Sequence, residues 1–178
     1  GGQSGRPGAL PATVTASNGS IAGTATVTVR PADPTTIVVD RAGAEDYSTI
    51  QSALNVAIDK DTIIIRNGTY AENIIISKAL TVRSETGPAG TVITAADPAV
   101  AVMRVTADGV IISGLSIVGT PEGNEGLAAH GIYLEQADNC TIQESVISKA
   151  SNGVYVYRGN NNTITRNTLT RNNNAVFI

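Results

Sequence analysis

Short segments of alternating apolar and polar residues fill the last third of the chain, and they recur with a period of 22. Residues 139–148 align with residues 161–170, and residues 130–134 align with residues 152–156 and 174–178. Such alternation, bounded by Asn and Gly, is typical of half-buried strands. A repeat of about 20 to 50 residues is typical of solenoids, because a single repeat cannot bury its apolar face alone. The pattern predicts an all-β chain folded as a β-solenoid.

The pattern extends towards the N-terminus with less regular spacing. Residues 110–112 precede residues 140–142 by 30 positions, which is eight more than the later repeat. Insertions in solenoids fall in loops on one face. We therefore place the additional residues in the loop at 119–127, the longest and most acidic loop of the solenoid. The other predicted strands are residues 36–40, 62–66, 73–77, 80–83, 91–94, 101–105, 110–113 and 115–118.

One segment has the pattern of an amphipathic helix. Ser48 and Gln51 have the spacing of a capping box, and the apolar residues that follow lie on one helical face. The spacing predicts a helix over about residues 48–59 that caps the first coil of the solenoid. The apolar positions of this helix are Ile50, Leu54, Ala57 and Ile58.

Residues 1–34 are predicted to be separate from the solenoid, which we place at residues 35–178. Two alternating segments flank Asn18-Gly19, a dipeptide that favours a tight hairpin turn. An isolated hairpin is only marginally stable in water, so we expect it to pack on the solenoid or to complete the sheet of another molecule. The residues of this candidate donor strand are Thr24, Thr26, Val27 and Val29.

Composition narrows the classes of function. The chain has 178 residues, of which 42% are apolar and 3% aromatic, with no Trp, so its core is built from aliphatic side chains. The net charge of −3 and the three Lys argue against a nucleic-acid partner. No apolar run approaches the roughly 18 residues that a membrane span needs. The single cysteine, Cys140, cannot form an internal disulfide and is predicted to be a small buried residue.

Three stretches carry a resemblance to a known superfamily. Residues 46–54, 61–65 and 67–74 resemble the opening of pectin-lyase-like right-handed parallel β-helices, a group that includes pectinesterases and many surface proteins. The later coils resemble the generic parallel β-helix repeat. The resemblance covers about 140 of the 178 residues and implies a right-handed parallel β-helix. Separately, the stretch 12–29 resembles the closing strands of bacterial Ig-like surface domains.

The resemblance implies carbohydrate chemistry that the residues do not supply in recognisable form. Pectinesterase-like activity would need two aspartates, a Gln pair and an Arg on one sheet, but the comparable coil, residues 151–155, has no carboxylate. Lyases of this fold use clustered acidic calcium ligands. Here the acidic residues are scattered, and Asp residues that precede strands usually form turns. We therefore favour a non-enzyme without metal or cofactor. The acidic residues considered were Asp97, Asp108, Glu135, Asp138 and Glu144.

The only histidine, His130, aligns with Asn152 and Asn174 at successive repeats. Stacked Asn side chains at a turn of a β-helix satisfy backbone groups from coil to coil, and a His can replace one of them. With no second histidine and no nucleophile nearby, a catalytic triad is not supported. We interpret His130 as a member of this stack.

Aromatic residues are predicted to form a row on one outer face. Because the neighbouring aliphatic residues point inward, Tyr133, Tyr155 and Phe177 should point outward on successive coils, which lie about 4.8 Å apart. Tyr157 and Arg158 should lie at the edge of this row. Three interpretations stay open: mutual stacking, an apolar stripe that a neighbouring subunit covers, and a platform that binds sugar rings.

Four Asn-x-Ser/Thr sequons give candidate N-glycosylation sites at Asn18, Asn67, Asn139 and Asn161. They favour an extracellular protein at the cell surface. The chain also reaches Ile178 within a predicted strand, which leads us to expect an unpaired edge in the last coil.

These features predict an extracellular structural protein that assembles with itself. A spare N-terminal strand and an unpaired C-terminal edge would make head-to-tail contacts, which generate filaments when they do not close. The expected product is a surface filament, sheath or layer, with other copies of the chain as the main partner. The alternative is a carbohydrate-binding or polysaccharide-degrading β-helix, as a piece of a longer protein.

Overall fold

The structure is a computed structural model that describes residues 10–18, 21–29, 34–45, 47–120 and 129–178. The chain divides into two compact units, Gly1–Thr35 and Thr36–Ile178. The first unit contains the antiparallel hairpin of β1 (Leu10–Asn18) and β2 (Ile21–Val29), in which Asn18 pairs with Ile21. The predicted hairpin is confirmed.

The second unit contains short strands and one helix, α1 (Ile50–Val56), among the described residues. The first strands of this unit are β3 (Thr36–Val39), β4 (Thr62–Ile65), β5 (Gly68–Ala71), β6 (Ile74–Ile76), β7 (Thr81–Ser84), β8 (Thr91–Thr94), β9 (Met103–Val105) and β10 (Ile111–Ser113). The later strands are β11 (Ser116–Val118), β12 (Ile132–Glu135), β13 (Thr141–Gln143), β14 (Val146–Ser148), β15 (Asn152–Tyr157), β16 (Thr163–Thr165), β17 (Thr168–Thr170) and β18 (Asn174–Phe177).

These strands wind into three parallel sheets, so that every third strand returns to the same sheet. Sheet 1 has the order β3-β4-β7-β10-β13-β16, sheet 2 the order β5-β8-β11-β14-β17, and sheet 3 the order β6-β9-β12-β15-β18. One turn of the solenoid is therefore three strands, and we number the coils from coil 1 (β4–β6) to coil 5 (β16–β18). Only β5 was not predicted as a strand.

The register confirms the repeat that the sequence predicted. Ile142 pairs with Ile164 in sheet 1, and Ile147 pairs with Leu169 in sheet 2, both with an offset of 22. The longer offset of 30 is also confirmed, because Ile112 pairs with Ile142. The additional residues fall between β11 and β12, where residues 121–128, which include most of the predicted loop at 119–127, lie outside the described part of the chain.

The core is a set of aliphatic rows that run along the solenoid. The inner row of sheet 1 aligns one residue from each strand, and its members in the first five strands are at most 9% exposed. A fully buried Val or Ile side chain contributes about 1.5–3 kcal/mol. The row consists of Ile37, Ile63, Val82, Ile112, Ile142 and Ile164.

A second, shorter period sets the corners of coils 4 and 5. Two successive sides of each coil are five residues long and consist of one residue with positive φ, one corner residue and a three-residue strand. A non-glycine residue in this left-handed region costs about 1–2 kcal/mol, and packing of the flanking strands holds it there. The residues with positive φ are Asn139, Glu144, Lys149, Asn161, Arg166 and Arg171, with φ between 53° and 57°.

Three asparagines at the corners of coil 5 connect this coil to coil 4. The Asn167 Oδ1 atom accepts from the Ser145 N–H at 2.9 Å, and its Nδ2 donates to the Ile142 carbonyl at 2.8 Å. Asn162 and Asn172 make the same pair of bonds at their own corners. Backbone groups that the corners leave outside the sheet ladders are thereby paired.

The helix α1 covers coil 1 and is held at both ends by charged side chains. The Glu72 carboxylate accepts from the Ile50 and Gln51 N–H groups at 2.9 and 3.0 Å. The Lys78 ammonium donates to three carbonyls at the other end, those of Leu54, Asn55 and Ala57, at 2.6–3.0 Å. An anion at the N-terminus and a cation at the C-terminus also complement the helix dipole.

The predicted details of this helix needed correction. The N-cap is Thr49, whose side chain accepts from Ser52 N–H, so the capping interaction begins one residue later than the Ser48 pattern predicted. The helix ends at Val56, and Ala57 is its C-cap. Ala53, which was not predicted to face the core, is buried, whereas Ile58 is half-buried.

Side chains also cover the strand edges of coil 1. The Gln51 amide accepts from the Ile75 N–H at 2.8 Å and donates to the Ile75 carbonyl at 3.3 Å, as a neighbouring strand would. The Arg41 guanidinium donates to the Thr69 carbonyl of β5. Covered edges do not recruit further strands.

Candidate functional site

The outer face of sheet 3 carries the three aromatic side chains that we call the aromatic row: Tyr133, Tyr155 and Phe177. They lie in register on β12, β15 and β18. The Tyr133 and Tyr155 rings are stacked, with their centroids 5.1 Å apart and their planes 9° apart. The Tyr155 and Phe177 centroids are 5.5 Å apart with an angle of 56°. The structure thus brings these residues together, and their role stays a prediction.

Two further residues extend the row sideways at coil 4. The Tyr157 ring lies 6.3 Å from the Tyr155 ring, tilted by 45°. The Arg158 guanidinium carbon lies 4.9 Å from the Tyr157 centroid, within the range of a cation–π interaction. Both residues therefore lie at the edge of the aromatic row.

The orientation of the rings decides what the aromatic row can bind. A sugar ring stacks on the face of an aromatic ring, but the faces of Tyr133 and Tyr155 are turned towards each other. Phe177 is 50% exposed and has the largest open area in the row. The geometry therefore favours mutual stacking, which contributes about 0.5–1.5 kcal/mol for each pair, over a continuous platform for sugars.

An ion pair that sequence reasoning missed borders the row at coil 2. Arg104 pairs in register with Tyr133, and its Nε donates to the Glu135 carboxylate at 2.6 Å. Burial raises the pKa of the Tyr133 hydroxyl, and the negative charge of Glu135 raises it further, so the phenol is neutral at pH 7. Extending the row of Tyr133 by one coil towards the N-terminus would have led to Arg104, its register partner.

The predicted Asn stack is confirmed, and His130 is its first member. Asn174 Nδ2 donates to Asn152 Oδ1 at 2.8 Å, and Asn152 Nδ2 lies 3.0 Å from His130 Nδ1. Because the Asn152 oxygen is already used, its nitrogen donates to His130, so Nδ1 is an acceptor and the imidazole is neutral. Burial lowers the pKa of His130, which favours the same neutral form. The imidazole centroid also lies 4.7 Å from that of Tyr155.

The acidic residues that were considered as metal ligands have bonds within the fold. Asp108 accepts from Asp138 N–H at 2.8 Å, and Asp138 accepts from Asn160 N–H at 2.6 Å, so each connects its coil to the next. Asp97 accepts from Ala99 N–H within a turn, at 2.8 Å. In the part of the chain that the structure describes, no three His, Cys, Asp or Glu side chains lie close enough together to hold a metal ion. Glu135 and Glu144 form ion pairs with Arg104 and Arg166.

Cys140 is buried at a corner of coil 4. Burial raises the pKa of its thiol, which is therefore protonated at pH 7. Its sulfur lies 3.5 Å from the carbonyl oxygens of Ala107 and Asp138. Cys140 has the packing of a small core residue.

The remaining candidate residues are not members of sheet 3. Asn67, Asn139 and Asn161 are exposed, whereas the side chain of Asn18 is outside the described part of the molecule. The candidate donor residues belong to β2, which is already paired with β1. Their partners are Thr15 for Thr24, Thr13 for Thr26, Ala12 for Val27 and Leu10 for Val29.

Comparison with known proteins supports the fold over most of the chain. Residues 99–178 match a family model described as a right handed beta helix region. The alginate lyase from Paenibacillus sp. superimposes with a TM-score of 0.59 at 24% identity, covering 75% of this chain and 44% of the lyase. A pectin methylesterase from carrot superimposes with a TM-score of 0.56 at 16% identity, covering 76% of this chain and 51% of the esterase. At these identities the similarity shows the fold alone.

One sequence relative is a cell surface glycoprotein from Methanothermus fervidus. It is 30% identical over 109 residues, which make up 60% of this chain and 16% of the relative. The chain thus spans only a small part of that protein's length. Among the described residues, no helix has the length and apolarity needed to cross a membrane.

Proposed function

We propose that this chain, a right-handed parallel β-helix of the pectin-lyase-like superfamily, is a non-catalytic structural module of an extracellular filament, sheath or layer. The observation that carries this proposal is the use of its acidic residues. Every Asp and Glu side chain that the structure describes bonds to a backbone N–H or to a basic side chain of the fold. These side chains bond within turns, between coils and at the cap. Their bonds stabilise the solenoid, as expected of a rigid structural spacer.

A location at the cell surface is supported by the similarity to the cell surface glycoprotein over 109 residues. The exposed sequon asparagine Asn67 agrees with an exported protein. We therefore propose an extracellular location for the chain.

Self-assembly in a head-to-tail manner is supported by the charges of the first and the last coils that the structure describes. Residues 36–76, which form the cap and coil 1, contain six acidic and three basic residues, so their net charge is 3 − 6 = −3. Residues 158–178 contain Arg158, Arg166 and Arg171 and no acidic residue, so their net charge is +3. Opposite charges attract when the first coil of one copy meets the last coil of another, head to tail. Head-to-head and tail-to-tail contacts are disfavoured because they bring like charges together.

We further propose that a strand of one copy completes the assembly by pairing with the last coil of the next. The cap covers edge groups of coil 1 with Gln51 and Arg41, so direct stacking of coil on coil is disfavoured there. The strand β2, with Thr24, Thr26, Val27 and Val29, is the proposed donor, because added strands gain affinity from main-chain hydrogen bonds. Repetition of a contact that does not close gives a filament.

Light scattering and electron microscopy of the purified chain over a range of concentrations test this proposal. We expect polymers that grow with concentration and shrink when salt is raised from about 0.1 M to about 1 M, where the Debye length falls from about 10 Å to about 3 Å. Deletion of residues 1–34 should abolish the polymers while leaving a cooperatively unfolding solenoid. The matched charge variants are Arg171→Glu, which should weaken assembly, and Arg171→Lys, which should preserve it.

The assembly proposal is wrong if the full chain is monomeric at all concentrations and at low salt. If the deletion variant polymerises as the full chain does, the contact is real but β2 is not the donor. If the deletion variant fails to unfold cooperatively, residues 1–34 are part of the solenoid's folding unit, contrary to the proposed division at residue 34.

A second candidate function, binding of an acidic polysaccharide, is favoured by one specific observation. At the edge of the aromatic row, Arg158 stacks on Tyr157, which places a cation beside a partly exposed ring. Affinity electrophoresis in gels that contain alginate, pectate or neutral dextran tests it. Selective retardation by the acidic polymers, lost in Tyr157→Ser and kept in Tyr133→Phe, would support this candidate. Equal mobility in all three gels would exclude it.

A further inference from the structure

The turn between β4 and β5 carries Asn67, whose side-chain nitrogen makes no bond to another residue that the structure describes. Asn67 is exposed and is followed by Gly68 and by Thr69, whose side chain is also exposed on the outer face of β5. The triplet therefore presents an amide and a hydroxyl on the same exposed turn. This is the chemical arrangement of an N-linked glycan acceptor.

The Asn67 amide is held in one orientation. Its Oδ1 accepts from the Thr86 hydroxyl at 2.5 Å. The amide lies against the bare backbone of Gly90, because a Cβ atom at that position would be 2.9 Å from Asn67 Cγ. Since the oxygen is taken by Thr86, the nitrogen is the branch of the amide that is left without a partner among the described residues.

Asparagines that stabilise the solenoid use their nitrogen differently. Asn162, Asn167 and Asn172 each donate Nδ2 to a backbone carbonyl of the preceding coil. Asn73 donates to two carbonyls, at 3.0 and 3.1 Å. Removing such a nitrogen from its partner leaves a buried carbonyl unpaired, which costs about 1–3 kcal/mol. Modification of Asn67 carries no such penalty.

The backbone around Asn67 is also more accessible than that of the two sequons in the later coils. The middle residue of the triplet is Gly68, which has no side chain to anchor it. The strand β5 has a strand neighbour on one side only, and on the other side it is contacted by the flexible Arg41 side chain. In the triplet that starts at Asn139, the middle residue Cys140 is buried, and β13 has strands on both sides. In the triplet that starts at Asn161, β16 is also an edge strand, but the side chain of the middle residue Asn162 is bonded to the Cys140 N–H and to the Ala137 carbonyl. These two triplets would need local unfolding before an enzyme could hold them.

We propose that Asn67 is an attachment site for an N-linked oligosaccharide, and that the folded solenoid excludes transfer to Asn139 and Asn161. The co-substrate is an oligosaccharide linked to a lipid pyrophosphate. Asn67 Nδ2 forms a bond to the anomeric carbon, and the bond between that carbon and the pyrophosphate oxygen breaks. The lipid pyrophosphate leaves with the electron pair, and the nitrogen loses one proton to a carboxylate of the transferring enzyme.

A glycan at this position lies at the corner between sheet 1 and sheet 2, because Asn67 connects β4 with β5. It leaves the outer face of sheet 3 free for contacts of the aromatic row. The inference does not depend on self-assembly of the chain, and the two can fail separately.

Transfer to the folded full chain carrying Asn18→Gln, which removes the sequon of the N-terminal hairpin, tests the proposal by intact mass. The reagents are a purified oligosaccharyltransferase that accepts Asn-x-Ser/Thr and its lipid-linked oligosaccharide. We expect a gain of one oligosaccharide. It should be lost in Asn67→Gln and in Thr69→Val, and kept in Thr69→Ser, Asn139→Gln and Asn161→Gln. The matched pair at Thr69 separates loss of the hydroxyl from a change in shape.

A chain unfolded in urea and then diluted into the reaction provides the second measurement. It should gain more than one oligosaccharide, because the other sequons become accessible. The proposal is overturned if the folded chain gains no mass while a peptide with the same triplet is modified. It is equally overturned if the gain persists in Asn67→Gln, or if the folded chain is modified at Asn139 or Asn161.

Discussion

Coil 1 and coil 5 are the first and the last coils that the structure describes, and their hydrogen bonds are completed by polar side chains from different kinds of position. At coil 1, Glu72 and Lys78 hold the two ends of α1, while Gln51 pairs with the edge of β6. At coil 5, regularly spaced asparagines repeat one bonding pattern at successive corners. The hydrogen bonds at coil 1 therefore depend on side chains that each occur once, whereas those at coil 5 come from one asparagine pattern that is repeated.

This difference implies different tolerance to mutation. A single substitution at the cap has no second copy to compensate for it, because each of its bonds occurs once. At the corners of coil 5, three equivalent asparagines connect the same pair of coils, so loss of one leaves two. Measurements of the free energy of unfolding for variants of coil 1 and coil 5 can therefore test this difference.

The largest effect is expected for Lys78→Met. This variant keeps the length of the side chain and removes the ammonium that donates to three carbonyls at the end of α1. Hydrogen bonds to charged groups contribute about 1.5–3 kcal/mol each and are not additive, so we expect a loss of about 3 kcal/mol in the free energy of unfolding in urea. Lys149→Met, at a corner of coil 4, is the control and should change the stability by less than about 0.5 kcal/mol. Equal effects at both positions would contradict the role of Lys78.

A smaller loss is expected for Asn167→Ala in coil 5. It leaves the Ser145 N–H and the Ile142 carbonyl without their side-chain partner, for which we expect about 2 kcal/mol by the same urea measurement. Asn173→Ala, at an exposed neighbouring position, is the control. If Asn162→Ala, Asn167→Ala and Asn172→Ala differ widely, the corners are not equivalent and the comparison between the two ends loses its basis.

The comparison also explains how much of the molecule could be predicted from the sequence. The register of the repeating coils could be predicted from the sequence. A shift by one residue would turn Ile142 or Ile164 from the core to the solvent, so burial fixes the alignment of the strands. The shorter period was missed although Asn162, Asn167 and Asn172 are evenly spaced, because a search at the period of a whole coil does not separate corners from strands.

The cap could be predicted only in outline. Its apolar face indicated a helix near the first coil, but the bonds of Glu72 and Lys78 to this helix occur once each and follow no repeat. The candidate surface was predicted from alternation, which gives the side of the sheet but not the angle between rings. That angle, 9° between Tyr133 and Tyr155, is what argues against a sugar platform.

A third effect concerns the aromatic row, which belongs to the repeating end. Tyr155→Leu removes the stack with Tyr133 and the tilted contact with Phe177, and we expect a loss of about 1.5 kcal/mol in the free energy of unfolding. Tyr157→Leu loses one ring contact at 6.3 Å and the cation–π contact with Arg158, and it should lower the stability by less than Tyr155→Leu, by about 1 kcal/mol. If Tyr155→Leu unfolds like the parent but no longer polymerises, the row is an interface between copies rather than a stabilising stack.

The smallest effect is a dependence on pH that arises from the Asn stack. His130 accepts from Asn152 through Nδ1, and burial lowers its pKa in the folded protein below the value of about 6.5 in the unfolded chain. The unfolded chain therefore binds the proton more readily, so this contribution is fully present above about pH 6.5 and is lost as the pH falls through the lowered pKa. His130→Asn keeps an acceptor for Asn152 and removes the titration. Thermal unfolding between pH 8 and pH 5 should show a decline for the parent that is reduced in this variant. An identical decline in both would mean that carboxylates, and not the stack, set the acid sensitivity of the solenoid.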